Sequence, residues 1–176
     1  MDDPHNDIES VKGSISTTIL TPSMTSENTL EEYKTILNSS TLLDSSIPQA
    51  GSSFIIRHVA TDKVVTFQEG DIRLGDIGGH YTFRWKCVEK KGWFGFRDPA
   101  SHMFMGHNDR GVISCQVKHH KGFEEFCLRH APGGGYNLLL KHSDELRPIG
   151  LEKGTRNVMA KTDNWSAALV FQFIKV

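Results

Sequence analysis

The sequence predicts an all-β fold made of three copies of a four-stranded unit, and three observations carry that prediction. Apolar and polar residues alternate over short runs, as half-buried strands require. Turn residues punctuate the runs at Thr61-Asp62-Lys63, Glu69-Gly70-Asp71, Asp98-Pro99 and Asp109-Arg110-Gly111. The pattern then returns about every 40 residues across residues 51–176, the spacing of a structural repeat.

In the first copy, Phe54-Ile-Ile-Arg57 reads as a strand, Val64-Val-Thr-Phe67 as a second and Ile72-Arg-Leu74 as a third. Phe83-Arg-Trp-Lys-Cys87 alternates with a strict period of two and forms the fourth. The second copy is centred on Trp93 to Cys115. A shift of 40 or 41 residues lays Ile56 on Phe96, Val65 on Met105, Gly70 on Gly111 and Ile72 on Ile113. Its fourth strand, Phe126-Cys-Leu128, matches Phe83-Arg-Trp85 at a shift of 43. A shift of 43 or 44 then places Trp93 on Tyr136, Phe96 on Leu139 and Gly106 on Gly150, and the third copy closes on Phe171-Gln-Phe-Ile-Lys-Val176. Gly70, Gly111 and Gly154 fall in one turn of each copy, where a positive φ is required.

A propeller needs about four blades or more, and the chain has room for three copies. Three copies closing on themselves give a β-trefoil, a short closed barrel with a triangular cap of hairpins. Closure also removes the exposed edges that such short strands would otherwise present. The predicted core is Phe54, Ile56, Val65, Leu74, Phe83, Trp85, Phe96, Met105, Ile113, Phe126, Leu128, Leu139, Ile149, Leu151, Phe171 and Phe173.

Residues 1–50 read differently. Sixteen of them are Ser or Thr, and the apolar residues lack a sheet-like period, so most of this arm is expected to be disordered. A short helix near 29–38 is the exception, because Thr29 and Glu32 have capping-box spacing and Leu30, Tyr33 and Leu37 recur at helical spacing. So short a helix persists only if Tyr33 and Leu37 dock on something. The arm carries two basic side chains against eight acidic ones. Of the chain's 20 basic and 21 acidic residues, 18 and 13 therefore lie in the 51–176 domain. An acidic arm on a basic body suggests an anionic partner and a regulatory or solubilising arm.

No apolar run is long enough for a membrane span and no secretion signal opens the sequence, so a soluble, cytoplasmic protein is expected. Cys87, Cys115 and Cys127 are an odd number without metal spacing, which argues for buried thiols in a reducing compartment. Cys127 should face away from the core and be the most reactive of them.

Gly95-Phe-Arg-Asp-Pro-Ala-Ser101, Met105-Gly-His-Asn108 and His119-His-Lys-Gly-Phe-Glu-Glu-Phe126 together resemble the fascin-like β-trefoils of the actin-crosslinking superfamily, found as single domains in filamentous fungi. The resemblance covers residues 52–176. It implies a binding module without catalysis and an actin filament as partner. Hisactophilin, a histidine-rich trefoil of the same group, implies pH dependence, although the nine histidines here fall well short of its surface.

Lys118-His119-His120-Lys121, in the loop before the second copy's fourth strand, is the densest group of positive or titratable residues and a candidate for binding phosphate or carboxylate. The bland alternative is a solvated turn with one histidine tucked over the barrel mouth. Trp165 breaks the repeat in Asp163-Asn-Trp-Ser166 and is either a plug or an exposed anchor. His102, His107, His119 and His120 lack the spacing of a metal site, and no metal or cofactor is expected. The Gln-x-Trp element of ricin-type lectins is absent. Ser101-His102 and Cys115 with His119 are the nearest approach to hydrolase chemistry, but no G-x-S-x-G elbow, Walker loop or GxGxxG run is present, and no enzyme is expected.

These readings converge on a monomeric, non-catalytic binding module. Its partner is expected to be an acidic protein surface, actin by resemblance, with a carbohydrate-binding trefoil as the alternative and a trefoil-type protease inhibitor as a further one. No nucleic acid partner is expected.

Overall fold

Short runs rich in β-branched and aromatic residues, each cut off by a tight turn, form twelve strands and one helix among the residues that the computed structural model describes, 26–40, 45–79 and 81–176. The first copy supplies β1 (Ser53–His58), β2 (Val64–Gln68), β3 (Asp71–Gly75) and β4 (Arg84–Lys90). The second supplies β5 (Trp93–Arg97), β6 (Phe104–His107), β7 (Ile113–Val117) and β8 (Phe126–His130). The third supplies β9 (Tyr136–His142), β10 (Glu145–Leu151), β11 (Met159–Lys161) and β12 (Phe171–Lys175).

The first and fourth strands of the copies pair antiparallel in the order β1, β4, β5, β8, β9, β12 and return to β1. The last contact is the expected closure, with Ile56 opposite Phe173 and His58 opposite Phe171. The second and third strands make three hairpins, β2–β3, β6–β7 and β10–β11. These touch one another pairwise through Asp71 with Ser114, Arg73 with Val158, and Val112 with Ala160, and so cap one end of the ring. The fold is an all-β trefoil. Gly70, Gly111 and Gly154 have φ of 93°, 82° and 76°, so the turn repeated in each copy takes the left-handed backbone that a side chain disfavours.

Phe54, Ile56, Val65, Leu74, Trp85, Phe96, Met105, Ile113, Phe126, Ile149, Phe171 and Phe173 all lie in the barrel core as expected. Trp85 keeps its indole N–H satisfied by donating to the Val65 carbonyl at 2.9 Å. Four expectations need correction. Leu138 and Leu140 face the core rather than Leu139, which is buried outside that cluster, because a run of three leucines carries no phase. Leu151 is exposed, and Met159 fills the third copy's share of the core. Phe83 precedes β4 and packs outside the barrel, under the helix, while Leu128 only borders the core.

The helix, α1 (Ser26–Ser39), begins one turn earlier than the Thr29–Glu32 spacing predicts, since that spacing selects one of several hydroxyl residues able to start it. Tyr33 and Leu37 are buried against Ile55, Val64 and Ile174, and Tyr33 meets Phe83 edge-on at 5.3 Å. Full burial of such side chains contributes about 1.5–3 kcal/mol each, enough to hold a helix that is marginal alone. The last turn of α1 has no basic residue of its own. Arg57 of β1 supplies one, donating from Nη1 to the Leu37 carbonyl at 2.8 Å and from Nη2 to that of Ser40 at 2.9 Å, where the helix leaves acceptors unfilled. The disorder expected for the rest of the arm falls largely on residues 1–25 and 41–44, outside the described residues.

Candidate ligand-binding site

The segment that enters the fourth strand of each copy holds one exposed aromatic ring: Tyr81 (43% exposed) before β4, Phe123 (43%) before β8 and Trp165 (45%) before β12. A ring left half in water forgoes burial that the core would reward, and three rings recur in equivalent connections. Each borders a cleft, and the clefts differ in chemistry.

Trp165 opens a 3-10 turn, Trp165–Ala167. Asn164 fixes the turn, its side-chain oxygen accepting from the Ser166 amide at 3.0 Å and the Ser166 hydroxyl at 2.7 Å. Asn137 of β9 ties the end of the segment down by donating to the Leu169 carbonyl at 3.0 Å. The Arg129 guanidinium, from β8, lies 4.8 Å from the centre of the Trp165 ring, within cation–π range. The cleft between them, about 360 Å³, is lined by Arg129, His130, Pro132, Asn137 and Trp165. It thus combines a half-exposed indole, a guanidinium and an amide on strands of a closed barrel.

Phe123 sits in the 3-10 turn Gly122–Glu124 with its ring centre 4.1 Å from that of buried His107. His107 Nδ1 and Nε2 lie 2.9 and 3.2 Å from the carbonyl oxygens of Asn108 and Lys141. Glu124 is buried behind it, accepting from the Lys121 amide at 3.3 Å, and burial pushes its carboxyl above the ordinary value. Gly106 makes this possible, because a Cβ there would lie 2.9 Å from both the Glu124 side chain and the Phe123 carbonyl. The cleft beside Phe123 is smaller, about 200 Å³, with Asp109 and Glu124 in its lining. The Tyr81 cleft mixes signs, with Arg73, Arg156, Glu69 and Asp76.

Of the residues singled out in sequence, Lys118, His119 and Lys121 are exposed, but His120 is not. Its ring stacks on Phe104 at 5.5 Å and 12°, and its Nε2 lies 3.2 Å from the Phe94 carbonyl oxygen. Gly95 leaves the space, since a Cβ there would approach His120 Nε2 to 2.9 Å. Burial lowers the His120 pKa, so the ring resists charging where the loop's positive character would need it. The four residues therefore do not act as one patch. Arg129 and His130, which lie beside Trp165, were not singled out in sequence; the signal was a bare Arg-His pair ending an alternating strand, 35 residues away.

Other chemistry resolves into structure. Ser101 Oγ donates to Asp98 at 2.6 Å in a turn that Thr82 and the Ala100 and Ser101 amides also anchor, so the hydroxyl is tied into the hydrogen-bonded frame of its own turn. Burial alone would raise the Asp98 pKa, but these hydrogen bonds outweigh it and hold it below the ordinary value. The Cys87 and Cys115 thiols are buried and pushed up to about 12. Cys127 is half-buried, and burial raises its thiol pKa as well, which lowers its thiolate fraction. Among the described residues no three His, Cys, Asp or Glu side chains gather as a metal site, and no helix is long and apolar enough to cross a membrane.

No protein-family model and no curated protein matches this chain by sequence. Solved structures match by shape. BEL β-trefoil is 10% identical with a TM-score of 0.60, over 74% of this chain and 97% of that one. The Macrolepiota procera ricin B-like lectin in complex with lactose is 10% identical with a TM-score of 0.57, over 74% of this chain and all of that one (100%). The GlcNAcα1-4Gal-releasing endo-β-galactosidase from Clostridium perfringens is 16% identical with a TM-score of 0.59, over 71% of this chain. The chain spans only 32% of that enzyme's length. At these identities the likeness shows the trefoil fold.

Proposed function

We propose that this trefoil is a non-catalytic binding module that takes a saccharide at the Trp165 cleft. The observation that carries the reading is the indole itself, half-exposed and fixed by the Asn164 turn beside Arg129 and Asn137. A sugar ring presents C–H groups on one face and hydroxyls around its edge. An indole answers the first by apolar contact, and amide and guanidinium groups answer the second by hydrogen bonding. The shape likeness to a lectin whose structure holds lactose supports this class of ligand. The test is a glycan array probed with the full chain and with Trp165→Ala. Binding to a defined set of glycans that the variant loses is expected, and no binding to any glycan would overturn the proposal.

The resemblance to fascin-like trefoils supplies a second reading, an acidic protein surface such as actin. It rests on the exposed Lys118, His119 and Lys121 and on the basic balance of residues 51–176. Salt-sensitive cosedimentation with filaments, unaffected by Trp165→Ala, would favour it over the saccharide.

A further inference from the structure

We infer that the saccharide taken at the Trp165 cleft is anionic, carrying a carboxylate or sulfate group that Arg129 receives. This deepens the saccharide reading and rests on it. The cleft is lined by Arg129, His130, Pro132, Asn137 and Trp165, with no acidic side chain among them. Arg129 is exposed, and its side chain has neither an ion pair nor a hydrogen bond within the described residues; it lies over the Trp165 ring. Asp163, in the same loop as Trp165, is paired with Arg147 at 3.0 Å.

The guanidinium therefore sits over an aromatic face with its N–H donors unpaired, and a guanidinium receives a planar carboxylate or a sulfate through paired hydrogen bonds. The adjacent indole leaves room for the sugar ring that carries the anion. Neither of the other clefts offers this. The Phe123 cleft has Asp109 and Glu124 in its lining and no lysine or arginine, which would repel an anion. In the Tyr81 cleft, Arg73 is paired with Asp71 at 3.1 Å, and Arg156 shares its space with two carboxylates, Glu69 and Asp76. Charge thus separates three connections that share an exposed ring.

The experiment compares matched glycans on one array, each neutral core beside its sialylated, uronate-bearing and sulfated derivatives. It is probed with the full chain and with Arg129→Gln, and the variant's thermal melt is checked against the parent. Anionic members should bind about tenfold or more tightly than their neutral cores, and Arg129→Gln should abolish that advantage, weakening the anionic members by more than it weakens the neutral cores. The sialylated and uronate arms against the sulfated arm identify which anion is preferred. Equal binding of neutral and anionic members, or anionic binding that Arg129→Gln leaves untouched, overturns this inference and leaves the saccharide reading standing. Silence across the whole array overturns both. A polyglutamate spot that binds as well as the anionic glycans, and is lost in Arg129→Gln, overturns the saccharide in favour of an acidic polypeptide.

Discussion

Residues 118–125 and 162–170 make the same connection in the second and third copies, from a cap hairpin into the fourth strand, and each leaves one ring half-exposed, yet they settle differently. The first is rich in titratable groups and turns two of them inward: His120 stacks on Phe104, and Glu124 is buried. The second has less charge and leaves Trp165 outside, braced by Asn164 and covered on one side by Arg129. The difference lies in what faces each loop. Gly95 and Gly106 leave space in the second copy that a histidine ring and a carboxylate side chain fill, whereas in the third the Thr162 side chain and the Ala167 carbonyl take the space over Gly150. The density of titratable residues along a chain therefore does not measure what a surface offers a ligand. Convergence in space does, and Arg129, His130 and Trp165 converge from two separate segments.

The strands that these segments enter should respond alike, and this is the largest effect. Phe126 and Phe171 begin β8 and β12 and are both fully buried. Each, truncated to Ala, should cost about 3–5 kcal/mol in denaturant unfolding. A marked inequality would mean that the copies differ in their barrel and not only in their loops.

Within the second segment, His120→Ala should cost about 1–3 kcal/mol, because it removes a ring stack and the contact with the Phe94 carbonyl. His119→Ala, one residue earlier and exposed, should stay within about 0.5 kcal/mol. Equal costs would restore the picture of a solvated basic loop.

A smaller effect is in the pH dependence. Burial lowers the pKa of His120, and of His58, below 6.5 in the folded state. The unfolded chain then binds more protons, so the stability these rings contribute is complete above about 6.5 and is lost as pH falls toward their folded values. Glu124 acts oppositely: its raised carboxyl contributes stability below about 4.5 that is lost as pH rises through its folded value. Thermal melts of the parent and His120→Phe between pH 5 and 8, the range in which histidine ordinarily titrates, isolate the histidine share. The variant should lose less stability on acidification, and an unchanged slope would show that His120 titrates as freely as an exposed ring.

Much of the fold was legible because its signals are local and repeated. Gly70, Gly111 and Gly154 mark one turn in three copies, and strict alternation at Phe83 to Cys87 and Phe171 to Phe173 located two of the barrel strands. Where alternation fails, so does the reading. Leu138-Leu139-Leu140 is apolar at every position, and only the pairing of β9 with β8 and β12 selects which leucines point inward. The site was less legible because its parts are distant. Trp165 stood out as an aromatic that broke the repeat, but its partners lie on β8 and β9, and nothing in residues 129–137 announces a cleft. Likewise, His120 could not be told from His119 without the space above Gly95.

The account's central claim is that Trp165 stands outside the fold for a ligand rather than for stability. Measuring glycan affinity and denaturant unfolding together on Trp165→Ala tests it most directly. Affinity should fall by about 10- to 100-fold while unfolding stays within about 0.5 kcal/mol of the parent. Full affinity retained, or stability lost by about 2 kcal/mol or more, would make the ring a structural plug and contradict the account.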